Sequence, residues 1–116
     1  MAWIDGFYAA YMTGETGQGF GLFVFQDGVI VGADPLGVKF DGSYETSEST
    51  ESVSVLIQVD VPPNGTVIQG ASSGPSGMRY AVRVVLQENS LNEDWIRIQT
   101  PIGPVNLRLK KIRNLN

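Results

Sequence analysis

Hydrophobic and polar positions alternate with a period of two along most of the chain. In "SVSVLIQVDV", Val53, Val55, Ile57, Val59 and Val61 fall on one side and Ser52, Ser54, Gln58 and Asp60 on the other, with Leu56 the one departure. This is the pattern of a strand with one buried face. It recurs in "RYAVRVVLQ", where Tyr80, Val82, Val84 and Leu86 oppose Arg79, Arg83 and Gln87. Two shorter runs follow it: "WIRIQ" sets Ile96 and Ile98 against Arg97 and Gln99, and "PVNLRLKKI" sets Val105, Leu107 and Leu109 against Asn106, Arg108 and Lys110.

The first half carries four further runs, "DGFYAAYMT", "QGFGLFVFQ", "GVIVGAD" and "GVKFDGSY", with apolar residues on both faces. Turn signals separate them: Gly14 to Gly17, Asp27-Gly28, Asp34-Pro35-Leu36-Gly37 and the polar stretch Thr46 to Glu51. No long stretch has helical periodicity. The spacing predicts about eight short strands in one domain spanning residues 1–116, an all-β sandwich or an eight-stranded up-and-down antiparallel barrel. Closure, full or nearly full, is the expectation, because an open sheet exposes two edges and only Pro101, Pro104 and Lys110 resemble edge protection. The Gly-, Ser- and Pro-rich segment from Pro62 to Met78 is a long connection, read either as a plain surface connector, the commoner case for such loops, or as a lid in which Val67 and Ile68 tuck against the barrel mouth.

Composition narrows the chemistry. Cysteine and histidine are absent, which removes disulfides, thiolate nucleophiles, Cys/His zinc sites and imidazole bases together. No catalytic residue, metal ligand or cofactor site is assigned, and the expectation is a binding protein rather than an enzyme. The net charge of −4 divides unevenly: residues 1–60 hold nine acidic side chains and only Lys39, whereas residues 61–116 hold three acidic and seven basic ones. Overall acidity argues against direct nucleic-acid binding, which needs a basic footprint. With no apolar run long enough to span a bilayer and no basic leader ahead of Asp5, a cytoplasmic protein without membrane contact is expected.

"GETGQGFG", residues 14–21, has the glycine density of a phosphate-binding loop but leads into the strand-like "FGLFVFQ" rather than a helix, and lacks the Lys-Ser/Thr pair. Gly14 and Gly17 therefore read as hairpin turn residues, and Gly19 and Gly21 as places where the sheet coils or another element lies close. Asp5, Asp27 and Asp41 each precede a glycine and read as turn residues. "YETSESTES" places Glu45, Glu48 and Glu51 at a hairpin tip, an acidic patch suited to a basic protein partner. "RLKKIRNLN" is read as edge protection and solubility. Trp3, Phe7, Tyr8, Tyr11, Phe20, Phe23, Phe25 and Phe40 crowd the first 40 residues, so that one aromatic face fills the interior while the other needs cover from a loop or a homodimer interface.

The succession Asp5-Gly6-Phe7-Tyr8, Gly19-Phe20-Gly21, Asp27-Gly28, Gly32-Ala33-Asp34 and Gly42-Ser43-Tyr44 resembles the GrlR family of negative regulators of type III secretion. The likeness covers roughly the first 45 residues. It implies a lipocalin-like barrel, dimeric and without enzymatic activity, that sequesters a transcriptional activator through a run of four consecutive acidic residues. The corresponding residues here, Glu45, Glu48 and Glu51, are separated by Ser and Thr. A second expectation is a carrier or sensor of a small, lipid-like apolar ligand held in the barrel, with Val55, Ile57, Val82, Val84, Ile98 and Leu107 lining the cavity.

Overall fold

The structure is a computed structural model describing residues 3–47, 49, 51–88, 91 and 94–115. Eight antiparallel strands run β1 (Gly6–Thr13), β2 (Gln18–Gln26), β3 (Val29–Ala33), β4 (Lys39–Ser47), β5 (Ser52–Val61), β6 (Met78–Gln87), β7 (Ile96–Thr100) and β8 (Gly103–Arg113). Their order in the sheet is β6-β5-β4-β3-β2-β1-β8-β7. Consecutive strands pair from β1 through β6 and from β7 to β8, and β1 pairs with β8, which curls the sheet into a nearly closed up-and-down barrel. The ladder stops at one seam: β6 and β7 come close but share no strand pairing.

This seam corrects the expected edge. β8, with Pro104 and Lys110, lies between β1 and β7, and Pro101 sits in the β7–β8 turn, so none of the three residues guards an edge. The free edges belong to β6 and β7. Both are drawn inward by an apolar cluster that includes Val82 from β6 and Ile98 from β7.

Local chemistry sets the hairpins as the sequence suggests. Gln26 pairs with Val29 across Asp27 and Gly28, whose φ values of 51° and 83° are those of a two-residue turn matching the twist of the strands. Asp34 closes the β3–β4 turn by accepting bonds from the Leu36 and Val38 amides, each at 2.9 Å. Asp41 departs from the expectation: it lies within β4, opposite Val31 and Gln58, exposed and away from any turn. The run "GETGQGFG" is a four-residue turn followed directly by β2, a strand without the helix N-terminus that phosphate binding needs.

The barrel has two unlike ends. At the end that carries the β2–β3 and β4–β5 turns the interior is solid, packed with Tyr8, Phe25, Ile30, Tyr44, Val53 and Leu86 and capped by Ile4 and Leu91. The Phe25 ring lies 5.1 Å from Tyr8 and 5.4 Å from Tyr44, centroid to centroid, in tilted and edge-on contact. Phe23 and Phe40 follow at 4.8 Å nearer the other end. Gly32 makes room for this pair, because a Cβ there would stand 2.6 Å from the Phe23 ring.

Asp5 anchors the solid end, and this also corrects its reading as a turn residue: it is 4% exposed and accepts a hydrogen bond from the Tyr44 hydroxyl. Tyr8 donates to the Ile4 carbonyl at 2.7 Å, and the Lys111 ammonium donates to the Trp3 carbonyl at 2.7 Å while standing 5.7 Å from the Tyr8 ring centroid. The N-terminal segment is thereby tied to β1, β4 and β8. The outer surface of β1 to β3 remains apolar, with Phe7, Tyr11, Phe20, Leu22, Val29 and Val31 all exposed.

Burial, and then the bond to Asp5, pushes the Tyr44 hydroxyl up to about 12; burial and the nearby Asp5 charge raise Tyr8 as well. Both shifts favour the neutral phenol in the folded state. Their contribution to stability is therefore complete below about pH 10, the unfolded value, and is lost as pH climbs from there through the folded values. Thermal unfolding followed against pH should show the melting temperature falling above about pH 10. Tyr44→Phe should flatten that fall while lowering stability at neutral pH by about 1–3 kcal/mol, because Asp5 loses its buried donor; an unchanged alkaline limb would contradict the assignment.

Candidate functional site: a one-ended apolar cavity

Beyond the Phe23–Phe40 floor the barrel is hollow. The cavity measures about 560 Å³ and lies at the end that carries the β1–β2, β3–β4 and β7–β8 turns. Its wall is built by inward positions at the mouth ends of the strands: Met12 and Gly19 from β1 and β2, Phe40 from β4, Ile57, Val59 and Val61 from β5, Tyr80 and Val82 from β6, Ile98 and Thr100 from β7, and Val105 and Leu107 from β8. The hollow follows from side-chain size. Aliphatic residues of three or four carbons reach less far toward the axis than the aromatic rings at the solid end, and the space between them stays open.

The long β5–β6 connection is an ordered arm. Asn64 N donates to Gly74 O at 2.7 Å, Ser73 N to Gly65 O at 2.8 Å and Val67 N to Ala71 O at 3.0 Å, with an antiparallel bridge between Thr66 and Ser72. The Ser73 hydroxyl fastens the base of the arm, accepting from Gly65 N at 2.7 Å and donating to Pro62 O at 2.6 Å. The arm spans the mouth to the β1–β2 turn, where the Thr16 amide and hydroxyl both donate to Ile68 O at 3.0 and 3.2 Å. Gly14 permits that approach: a Cβ on it would lie 2.3 Å from the Ile68 carbonyl oxygen. Ile68 packs over Gly17 and Gly19, so the glycines of "GETGQGFG" serve as a seat for the arm.

The polar chemistry of the cavity centres on Gln69 at the arm's tip. Its side chain is buried, and Nε2 donates to the Tyr80 hydroxyl at 3.1 Å and to Thr100 Oγ1 at 3.3 Å. Thr100 Oγ1 already donates to Gly103 O and accepts from Ile102 N. Only acceptance remains for the Gln69 contact, which fixes the amide with its nitrogen toward Thr100. The Tyr80 hydroxyl is held above its ordinary value by burial, with the bond from Gln69 opposing that shift. Because Tyr80 belongs to β6 and Thr100 to β7, this one amide bridges the seam that the backbone ladder leaves open.

Four of the six positions expected to line a cavity do so: Ile57, Val82, Ile98 and Leu107. Val55 and Val84 do not. They face inward but stand one step lower, at the level where Val55 pairs with Tyr44 on one side and with Val84 on the other, within the packed interior. Val67 and Ile68, from the connection left open between connector and lid, line the cavity as well. Gln69, Tyr80 and Thr100 carried no functional assignment in the sequence. The one available signal was a polar residue ending the apolar run "TVIQ" inside an otherwise Gly- and Ser-rich connection.

Glu45 and Glu51 are exposed at the β4–β5 hairpin, at the opposite end of the barrel from the cavity, and Glu51 takes a φ of 51° in the turn. Glu48 lies outside the described residues. No family model, curated protein or solved structure matches the chain, and nothing in these comparisons bears on the likeness to the GrlR family.

Gly14→Ala should drive the arm off its seat, lowering stability by about 1–3 kcal/mol through overpacking against backbone. Limited proteolysis is the more specific readout. Cleavage within residues 62–77 is expected to accelerate in the variant, and equal cleavage rates would show that the Ile68 contact does not hold the arm.

Proposed function

We propose that the protein binds a small apolar ligand within the barrel, as a carrier or sensor and without catalysis. The observation that carries this reading is the cavity of about 560 Å³, walled by aliphatic side chains and spanned by an arm with its own hydrogen-bond network. Its volume is in the range of small-molecule sites, roughly 300–1,000 Å³. Burying a ligand's apolar surface there supplies about 25 cal/mol per Å². A barrel built only for stability gains nothing from leaving such a space beside a densely packed half.

The experiment is a titration with a neutral fluorescent probe such as N-phenylnaphthylamine, combined with native mass spectrometry of protein purified from its own host. Val82→Trp should fill the hollow and weaken probe binding by at least about tenfold while the far-ultraviolet dichroism stays that of a β-barrel. Equal probe affinity in the variant and the parent chain would remove the cavity as the binding site.

A second reading rests on the opposite end. Glu45 and Glu51 are exposed there, and neither has an ion-pair partner among the described residues. Such a hairpin supports docking of a basic protein, and regulatory capture of a transcriptional activator is the form that the GrlR likeness suggests. Replacing Glu45, Glu48 and Glu51 with Lys should abolish capture of the partner in a pull-down without changing probe affinity. Undiminished capture would eliminate the hairpin as the docking surface.

A further inference from the structure

Resting on the cavity reading, we infer that the ligand is an amphiphile with an uncharged, hydroxyl-type head group, recognised by Gln69 and Tyr80, and that chains ending in an ionised carboxylate or an ammonium are discriminated against. The warrant is the set of hydrogen-bonding groups that the cavity offers. With Nε2 of Gln69 committed to Tyr80 and Thr100, the amide's Oε1 has no partner among the described residues and is an available acceptor. The Tyr80 oxygen accepts from Gln69, which leaves its hydrogen as an available donor. An alcohol, which both donates and accepts, satisfies the two groups at once.

Charged heads fare worse for separate reasons. No lysine or arginine lines the cavity, and its other side-chain donors, Gln18, Asn64 and Thr66, are exposed, so a carboxylate buried beside Gln69 and Tyr80 meets one free donor there, no cation and the lone pairs of Gln69 Oε1. The basic residues nearest the mouth point outward: Lys39 is exposed, and Arg79 is paired with Asp60 at 3.2 Å. An ammonium meets one carboxylate in the lining, Asp34, whose Oδ1 already accepts from the Leu36 and Val38 amides in the turn. Length is bounded too. At about 30 Å³ for each water-sized group, 560 Å³ holds roughly 15–20 heavy atoms, the size of a single medium chain and its head.

The test is competition against the neutral probe on the full chain, using dodecanol, dodecanoate at about pH 8, where the acid is ionised, and dodecyltrimethylammonium. Dodecanol is expected to displace the probe at concentrations at least about tenfold below those of either charged amphiphile. Gln69→Leu should narrow the gap between dodecanol and dodecanoate to less than about threefold, and Tyr80→Phe should weaken dodecanol by about three- to tenfold relative to the affinity of the same variant for the neutral probe. The ranking in the parent chain is decisive even where a variant folds poorly. If dodecanoate matches or outcompetes dodecanol, the head-group assignment is overturned while the cavity reading stands; if neither the probe nor any amphiphile binds, both are overturned.

Discussion

The amide of Gln69 ties together three parts of the molecule that nothing else joins in the same way: the mouth arm, strand β6 and strand β7. An up-and-down barrel of eight strands must complete one last pairing to close, and here that pairing is missing between β6 and β7. Apolar contact across the seam, through residues such as Val82 and Ile98, is non-directional and sets no register. The two hydrogen bonds from Gln69 add direction at the mouth. In a largely apolar surrounding they are stronger than in water, and leaving either partner unmet there is costly.

The division into a solid half and a hollow half follows from which residues the register brings to each level of one continuous sheet. Tyr8, Phe25 and Tyr44 meet at one level, Phe23 and Phe40 at the next, and above them the inward positions are Ile, Val and Leu. The solid half carries the stability, holding Asp5 and the phenols in a buried network, and so frees the other half to remain underfilled. Rigidity at one end and space at the other are two outcomes of the same strands. The glycines of the first hairpin serve the hollow half in turn, because Gly14, Gly17 and Gly19 form the surface on which the arm is seated.

Strand existence, the Asp27–Gly28 turn and the inward faces of β5 to β8 were legible in the alternation of residues, whereas β1 to β4, apolar on both sides, left their inward face open. Height along the barrel axis was not legible. A period of two says which face Val55 and Val84 occupy but not that the aromatic ring opposite Val55 fills their level, and register is a property of pairs of strands rather than of one. Asp5 shows a different failure: Asp-Gly is a common turn signal, and the long-range partner that buries this carboxylate, Tyr44, lies 39 residues away. Gln69 was hidden because the arm has no periodicity from which an inward position could be inferred.

The seam has one further effect. A hydrogen-bonded ladder holds neighbouring strands about 4.8 Å apart, whereas side chains meeting across β6 and β7 impose no fixed repeat. Around seven-eighths of its circumference the barrel's girth is thus dictated by backbone geometry; along the remaining arc it is set by the bulk of the residues that touch there. Evolution of a wider or narrower bore would require only exchanges such as Val for Ile along that arc, leaving every other strand in place.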